Sequence, residues 1–207
     1  FLLEHFPRGT EFPAVDIPAD TADLPLASVQ AFSIDDAATT EIDDAFSIEA
    51  LADGWRVGIH IAAPGLGILP DSPLDALARE RLSTVYMPGS KITMLPDSVV
   101  EAFTLAAGRE CPALSLYLSV TPDFEIRAHE SRVERVRIAA NLRHHDIEPL
   151  FNAETVVTGL SAFPFCDELK TLWQLACACE KRRGKPSAMQ GIHDYNFDIE
   201  GDLDHPE

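Results

Sequence analysis

Five carboxylates fall within ten residues: Asp35, Asp36, Glu41, Asp43 and Asp44, in the stretch Ile34-Asp35-Asp36-Ala37-Ala38-Thr39-Thr40-Glu41-Ile42-Asp43-Asp44-Ala45-Phe46. Their density says little, because the chain carries 34 acidic residues among 207 and an acidic run is usually a solvated face. The arrangement says more. Phe32, Ile34, Ile42 and Phe46 bracket the acids with strand-type apolar residues, so the segment is tied to a core. Carboxylates held this close repel and raise one another's pKa until a cation neutralises them. The pattern is not that of an EF-hand, which needs alternating Asp/Asn ligands, a Gly at the sixth position and a bidentate Glu at the twelfth. Carboxylates at adjoining strand ends suit Mg²⁺ or Mn²⁺, which keep waters and take phosphate oxygens as remaining ligands, the chemistry of two-metal phosphodiester hydrolysis. An unrelated metal phosphodiesterase or a cation-binding module remains compatible with the same residues.

Several elements must position these acids. Residues 1–29, rich in Pro, Asp and Ala, read as a linker or irregular arm, and residues 30–207 as the domain proper. Ala31–Ile34 is a short strand candidate. Ala45–Leu51 and Trp55–Ala63 form a hairpin around Ala52-Asp53-Gly54. Leu74–Ser83 has helical spacing behind Pro73, the stretch from Val85 to Pro96 reads as a loop punctuated by two prolines and a glycine, and Asp97–Leu105 is a short helix that Asp97 or Ser98 could cap. Ala113–Thr121 and Glu125–Ala139 alternate as strands, and the His144-His145 pair starts a helix. Asp167–Arg183, acidic at its start and basic at its end, is the strongest helix and stops at Gly184. Strands that come as neighbours predict an α+β fold around a strongly curved antiparallel or mixed sheet flanked by helices.

The net charge of −18 argues against nucleic acid, unless divalent metals supply positive charge or a basic surface lies elsewhere in a longer protein. The opening FLLEHFPRGTEFP reads as the middle of something longer. No apolar run approaches the roughly 20 residues of a membrane span. Cys111, Cys166, Cys177 and Cys179 form no CxxC and read as reduced, mostly buried thiols of a cytoplasmic protein. Arg132, Arg135, Arg137 and Arg143 are the one basic cluster. Arg135 and Arg137 share a strand face that reads as solvated, with RNA-backbone contact as the alternative.

FSIDDAATTEIDDAFSIE resembles the signature of the ribonuclease II family catalytic (RNB) domain, I-D-x-x-x-T-x-D-[IM]-D-D-A. IHIAAP at 59–64, LDALARERLSTVYMPGSKITMLPDSV at 74–99 and LRHHDIEPLF follow in the family's order. The resemblance implies a processive 3′→5′ exoribonuclease that hydrolyses single-stranded RNA with Mg²⁺ (Mn²⁺ as a substitute) and releases nucleoside 5′-monophosphates. It places Asp35, Glu41, Asp43 and Asp44 at the four catalytic, metal-binding acids. Asp35 and Asp44 correspond to direct ligands, Asp43 to the acid the reaction can least spare, and Glu41 to an outer or second-metal ligand. Tyr86 matches an RNA-binding tyrosine that stacks on the terminal nucleotide, whereas Asp36 reads as a solvent-facing turn residue. The resemblance further implies a monomer with flanking RNA-binding domains and no membrane association. Glu41 departs from the usual Asp, Ala63 from the Asp of IHIAD, and the family's phosphate-gripping Arg has no counterpart here. A second stacking aromatic has only Tyr195 and Phe197 as candidates. The alternative function is a catalytically inactive RNA-binding relative of the same family.

Overall fold

The computed structural model describes residues 6, 9–12, 23–87, 90–159, 161–184, 201–202 and 205–206. In chain order the elements are β1 (Leu26–Asp35), β2 (Asp44–Leu51), β3 (Gly54–Ala62), α1 (Pro73–Arg81), β4 (Val85–Met87), β5 (Ser90–Ile92), α2 (Asp97–Phe103), β6 (Glu110–Val120), β7 (Ile126–Arg143), α3 (His144–Ile147), α4 (Ala153–Thr158), α5 (Cys166–Arg183), β8 (Gly201–Asp202) and β9 (His205–Pro206). The chain divides into two compact units, one of residues 20–63 and 103–187, the other of residues 1–19, 64–102 and 188–207.

The first unit is a closed barrel in the order β1-β2-β3-β6-β7. Neighbours pair antiparallel except β1 and β7, which close the ring in parallel, with Ser33 opposite Asn141 and Asp35 opposite Arg143. The sheet is therefore mixed, as expected, and its curvature runs to full closure. Strand alternation sends small residues inward. Ala31, Ala45, Cys111, Ala113, Val136 and Ile138 pack there with Ile42 and Leu105. The outer face of the β2–β3–β6 sheet is covered by α5. Val57, Val120 and Leu175 are buried there, flanked by Ile48, Trp55, Leu118, Phe124 and Leu172, and the Trp55 and Phe124 rings stack at 4.9 Å. Gly184 ends α5 in the left-handed region, its N–H donating to the Glu180 and Lys181 carbonyls.

Towards the other end the barrel interior turns polar. His60 is fully buried and lies 2.9 Å from Ser47 Oγ through Nε2 and 2.8 Å from Ser115 Oγ through Nδ1. These bonds tie β2, β3 and β6 together side chain to side chain. Burial depresses the imidazole pKa to about 4, helped by the Arg56 charge and opposed by Glu134, so the ring is neutral. Tyr117 donates to Glu134 at 2.6 Å, and the Arg56 guanidinium lies 3.8 Å from the Tyr117 ring centre. Gly58 is required here, because a Cβ would sit 2.4 Å from Ser47 Oγ and 2.7 Å from His60 Nε2.

In the second unit Ser72 caps α1 by accepting the Asp75 N–H, with Pro73 at the first helical position. Arg81 is buried and donates to the Thr93 carbonyl at 2.6 Å and the Thr10 carbonyl at 2.8 Å.

Three expectations change. The first strand starts at Leu26, not near residue 31, because Ala27 and Val29 pack beside the barrel core. The predicted loop from Val85 contains an antiparallel hairpin pairing Val85 with Ile92, Tyr86 with Lys91 and Met87 with Ser90; Pro88 and Gly89 lie outside the described residues. Of the four free thiols Cys111 is buried and Cys177 exposed, with Cys166 and Cys179 between, so the cysteines are not mostly buried. Among the described residues no helix is long and apolar enough to cross a membrane.

Candidate metal and catalytic site

The acidic segment links two barrel strands that pair with each other. Asp35 ends β1 and Asp44 opens β2; antiparallel pairing with Phe32 opposite Phe46 puts both at the same end of the sheet. Phe32 anchors this end. It is fully buried and stacks on Phe165 at 4.6 Å, a burial that contributes roughly 1.5–3 kcal/mol.

The connection from Asp36 to Asp43 has no regular structure, so its backbone polar groups need partners. Thr39 N–H donates to the Asp36 carbonyl at 3.1 Å, closing a turn that leaves Asp36 exposed, as expected. Arg143 Nη1 donates to the Asp36 carbonyl at 2.7 Å. Thr104 Oγ1 accepts from Ile42 N–H at 2.8 Å, and Leu105 N–H donates to the Ile42 carbonyl at 3.0 Å. Ala62 N–H donates to the Asp43 carbonyl at 2.8 Å. Ile42, 4% exposed, plugs the barrel core. The loop is thus fastened through its backbone and the buried Ile42 side chain.

The four predicted acids converge electrostatically. Asp43 has its pKa raised first by burial, then by the charges of Glu41, Asp44 and Asp35. Asp44 is raised by burial and then by Asp35. Both side chains nevertheless reach solvent. Burial and like charge at close range both favour the protonated form, and a bound cation would favour the charged one. Asp35 differs in being held by a buried neighbour, Ser33, whose Oγ–H donates to Asp35 Oδ2 at 2.5 Å.

Among the described residues no group of three Asp, Glu, His or Cys side chains is already gathered as a metal cage. Mg²⁺ does not require one, since it keeps several waters and takes one or two carboxylates plus substrate phosphates. Carboxylate oxygens, without thiolate or imidazole, are donors of the type that suits Mg²⁺ or Mn²⁺ better than zinc.

Tyr86 lies in the other unit, on β4, and is 73% exposed. Tyr195 and Phe197 lie outside the described residues. Arg135 and Arg137 are not a free basic face: both bind the Glu110 carboxylate, at 3.2 Å and 2.7 Å, and Arg135 also donates to the Leu24 carbonyl. Arg143 holds the acidic loop. Sequence reasoning missed Ser33, Thr104 and Asn141, which buttress the acidic segment, the last two from far along the chain; the Ser33-x-Asp35 spacing on a strand was the one local signal.

A model of the RNB domain family matches residues 24–205. An uncharacterised ribonuclease of Synechocystis is 32% identical over 127 residues, covering 60% of this chain and 19% of that protein. Exoribonuclease 2 of Aeromonas hydrophila is 33% identical over 124 residues, covering 59% of this chain and 18% of its own. The chain thus spans about a fifth of the length of these relatives. Among solved structures, Mycoplasma genitalium RNase R in complex with ribose methylated single-stranded RNA has a TM-score of 0.69 at 15% identity, over 80% of this chain and 27% of that one. Yeast Ssd1, a pseudonuclease, has a TM-score of 0.67 at 21% identity, over 83% and 21%. At these identities the structures speak for the fold.

Proposed function

The chain belongs to the RNB domain family, and from that premise we propose that it forms the metal-binding part of a hydrolytic exoribonuclease that shortens single-stranded RNA from its 3′ end and releases nucleoside 5′-monophosphates. The observation that carries this reading is the placement of Asp35, Glu41, Asp43 and Asp44 on and beside one short connection at one end of the barrel, with the charges of the other three bearing on Asp43.

In this reading Asp35 and Asp44, fixed at the ends of paired strands, present oxygens to Mg²⁺ or Mn²⁺. Asp43, with its backbone clamped by Ala62, would act beside the reacting phosphate, and Glu41 would help hold a second ion. Bound divalent metal supplies an activated water and neutralises charge on the leaving oxygen. Tyr86 offers an exposed ring on which any terminal base can stack, for ~1–3 kcal/mol without sequence preference. Flanking RNA-binding domains supply the positive surface that a chain of net charge −18 lacks, and the protein works as a cytoplasmic monomer.

The competing reading is an inactive RNA-binding relative, and the fold's likeness to a pseudonuclease gives it a basis. Retention of three aspartates plus a glutamate, with the loop that carries them fully braced, favours catalysis. The test uses the full-length protein and 5′-labelled single-stranded RNA. Stepwise shortening from the 3′ end with Mg²⁺, abolished by chelation and far slower on DNA, is the expected result. Failure to cleave with every divalent ion tried would overturn it.

A further inference from the structure

Ser33 and Asn141 lie 108 residues apart in sequence and become partners only through the parallel register of β1 on β7. Their hydrogen bonds have a fixed direction. Ala107 N–H donates to Asn141 Oδ1 at 2.8 Å, while Asn141 Nδ2 donates to the Leu105 carbonyl and to Ser33 Oγ, each at 2.9 Å. Turning the amide over would set its NH₂ against the Ala107 N–H and its carbonyl against the Leu105 carbonyl, so the orientation is determined. Ser33 Oγ therefore accepts from Asn141, and its single proton has one destination, Asp35 Oδ2. Ser33 is 1% exposed, which leaves water no place in the chain of donors.

We propose that Asn141 and Ser33 are positioning residues that hold the Asp35 carboxylate in one rotamer, with Oδ2 engaged and Oδ1 presented to the cation as a single-oxygen ligand. This rests on the metal-site reading above. The relay fixes the ligand before any ion arrives, so less rotamer freedom remains to be lost on binding. It also sets Asp35 apart from Asp43 and Asp44 as the pre-oriented member of the cluster. Neither residue touches substrate, and both act through Asp35.

The test measures Mn²⁺ binding to the full-length protein by the electron paramagnetic resonance of free Mn²⁺, alongside the Mg²⁺ concentration for half-maximal RNA hydrolysis. Ser33→Ala weakens Mn²⁺ binding by about 10–100-fold, the usual cost of removing a group that orients a metal ligand. Ser33→Thr retains the hydroxyl donor and stays within about threefold of the parent. Asn141→Asp keeps the acceptor for Ala107 but cannot donate to Ser33, whose proton it competes for. Affinity falls there even though an added negative charge alone would raise it, and this variant serves if Ser33→Ala fails to fold. Unchanged Mn²⁺ affinity in Ser33→Ala, or an equal loss in Ser33→Thr, overturns the proposal. If the parent protein binds Mn²⁺ but hydrolyses no RNA, the nuclease reading fails while the binding comparison still decides the relay.

Discussion

The buried His60 makes the barrel that carries the acids sensitive to mild acid. In the unfolded chain its imidazole takes a proton near pH 6.5, whereas in the fold it stays neutral to about pH 4, chiefly because burial disfavours the charged form. A depressed folded pKa contributes stability that is present above pH 6.5 and lost as pH falls towards 4. The gap of about 2.5 units, at about 1.36 kcal/mol per unit, amounts to about 3 kcal/mol. That is a large part of the roughly 5–15 kcal/mol by which a domain is stable. Replacing His60 with Gln removes this titration and costs about 1–3 kcal/mol at neutral pH, because Ser47 and Ser115 lose a shared partner. Urea unfolding of both proteins at pH 7.5, 6.5, 5.5 and 4.5 isolates His60, since the carboxylates titrate equally in each. The parent's advantage should shrink by about 2–3 kcal/mol across that range. An advantage independent of pH would refute the reasoning, as would an NMR titration of the His60 ring centred near pH 6.5.

Asp43→Asn removes several kcal/mol of metal-assisted stabilisation, so RNA hydrolysis falls by about 10²–10⁴-fold. The same change raises the metal-free melting temperature at pH 7, because the raised folded pKa makes the charged form a cost above the carboxylate range; this gain disappears on acidification below the ordinary carboxyl value of 3.8, where Asp43 is protonated anyway. Glu41→Asp shortens the carboxylate's reach by ~1.5 Å and shifts the Mg²⁺ and Mn²⁺ concentrations for half-maximal rate relative to one another, read from metal titrations of activity. Tyr86→Ala raises KM for single-stranded RNA by about 5–150-fold, from a stacking loss of ~1–3 kcal/mol, while Tyr86→Phe changes it little; equal effects of the two would exclude stacking. Gly58→Ala drives a methyl onto Ser47 and His60 and destabilises by about 1–3 kcal/mol, visible as a lower urea midpoint with an unchanged slope.

Local patterns made part of this molecule legible. The hairpin of β2 and β3 and the helices α1 and α5 follow from alternation, helical spacing, the Asp53-Gly54 turn, the Pro73 start and the Gly184 stop. The acids were identifiable because type and spacing are properties of a short segment. What holds them was not. Asn141 reads as an ordinary polar residue near a strand end, and Thr104 as the tail of a short helix, until barrel closure brings them to Ser33 and Ile42. His60 lay inside an apolar strand motif with no sign that two serines on neighbouring strands would fill both its nitrogens. Arg135 and Arg137 looked like free cations because their shared counter-ion, Glu110, sits on another strand. β4 and β5 are three residues each, too short for periodicity to outweigh Pro88 and Gly89.

Parallel closure of β1 against β7 also gives assembly a timetable. Leu26 waits for Arg135, and Ser33 for Asn141, before either finds its partner. At the usual 5–20 residues per second of synthesis, the 108 residues between Ser33 and Asn141 take about 5–20 s to appear. Until then the acidic segment has no relay behind Asp35 and no Arg143 beneath its turn. In this fold the strand that braces the acidic segment is the last of the barrel to be made, so the segment is complete in sequence well before it is held in place.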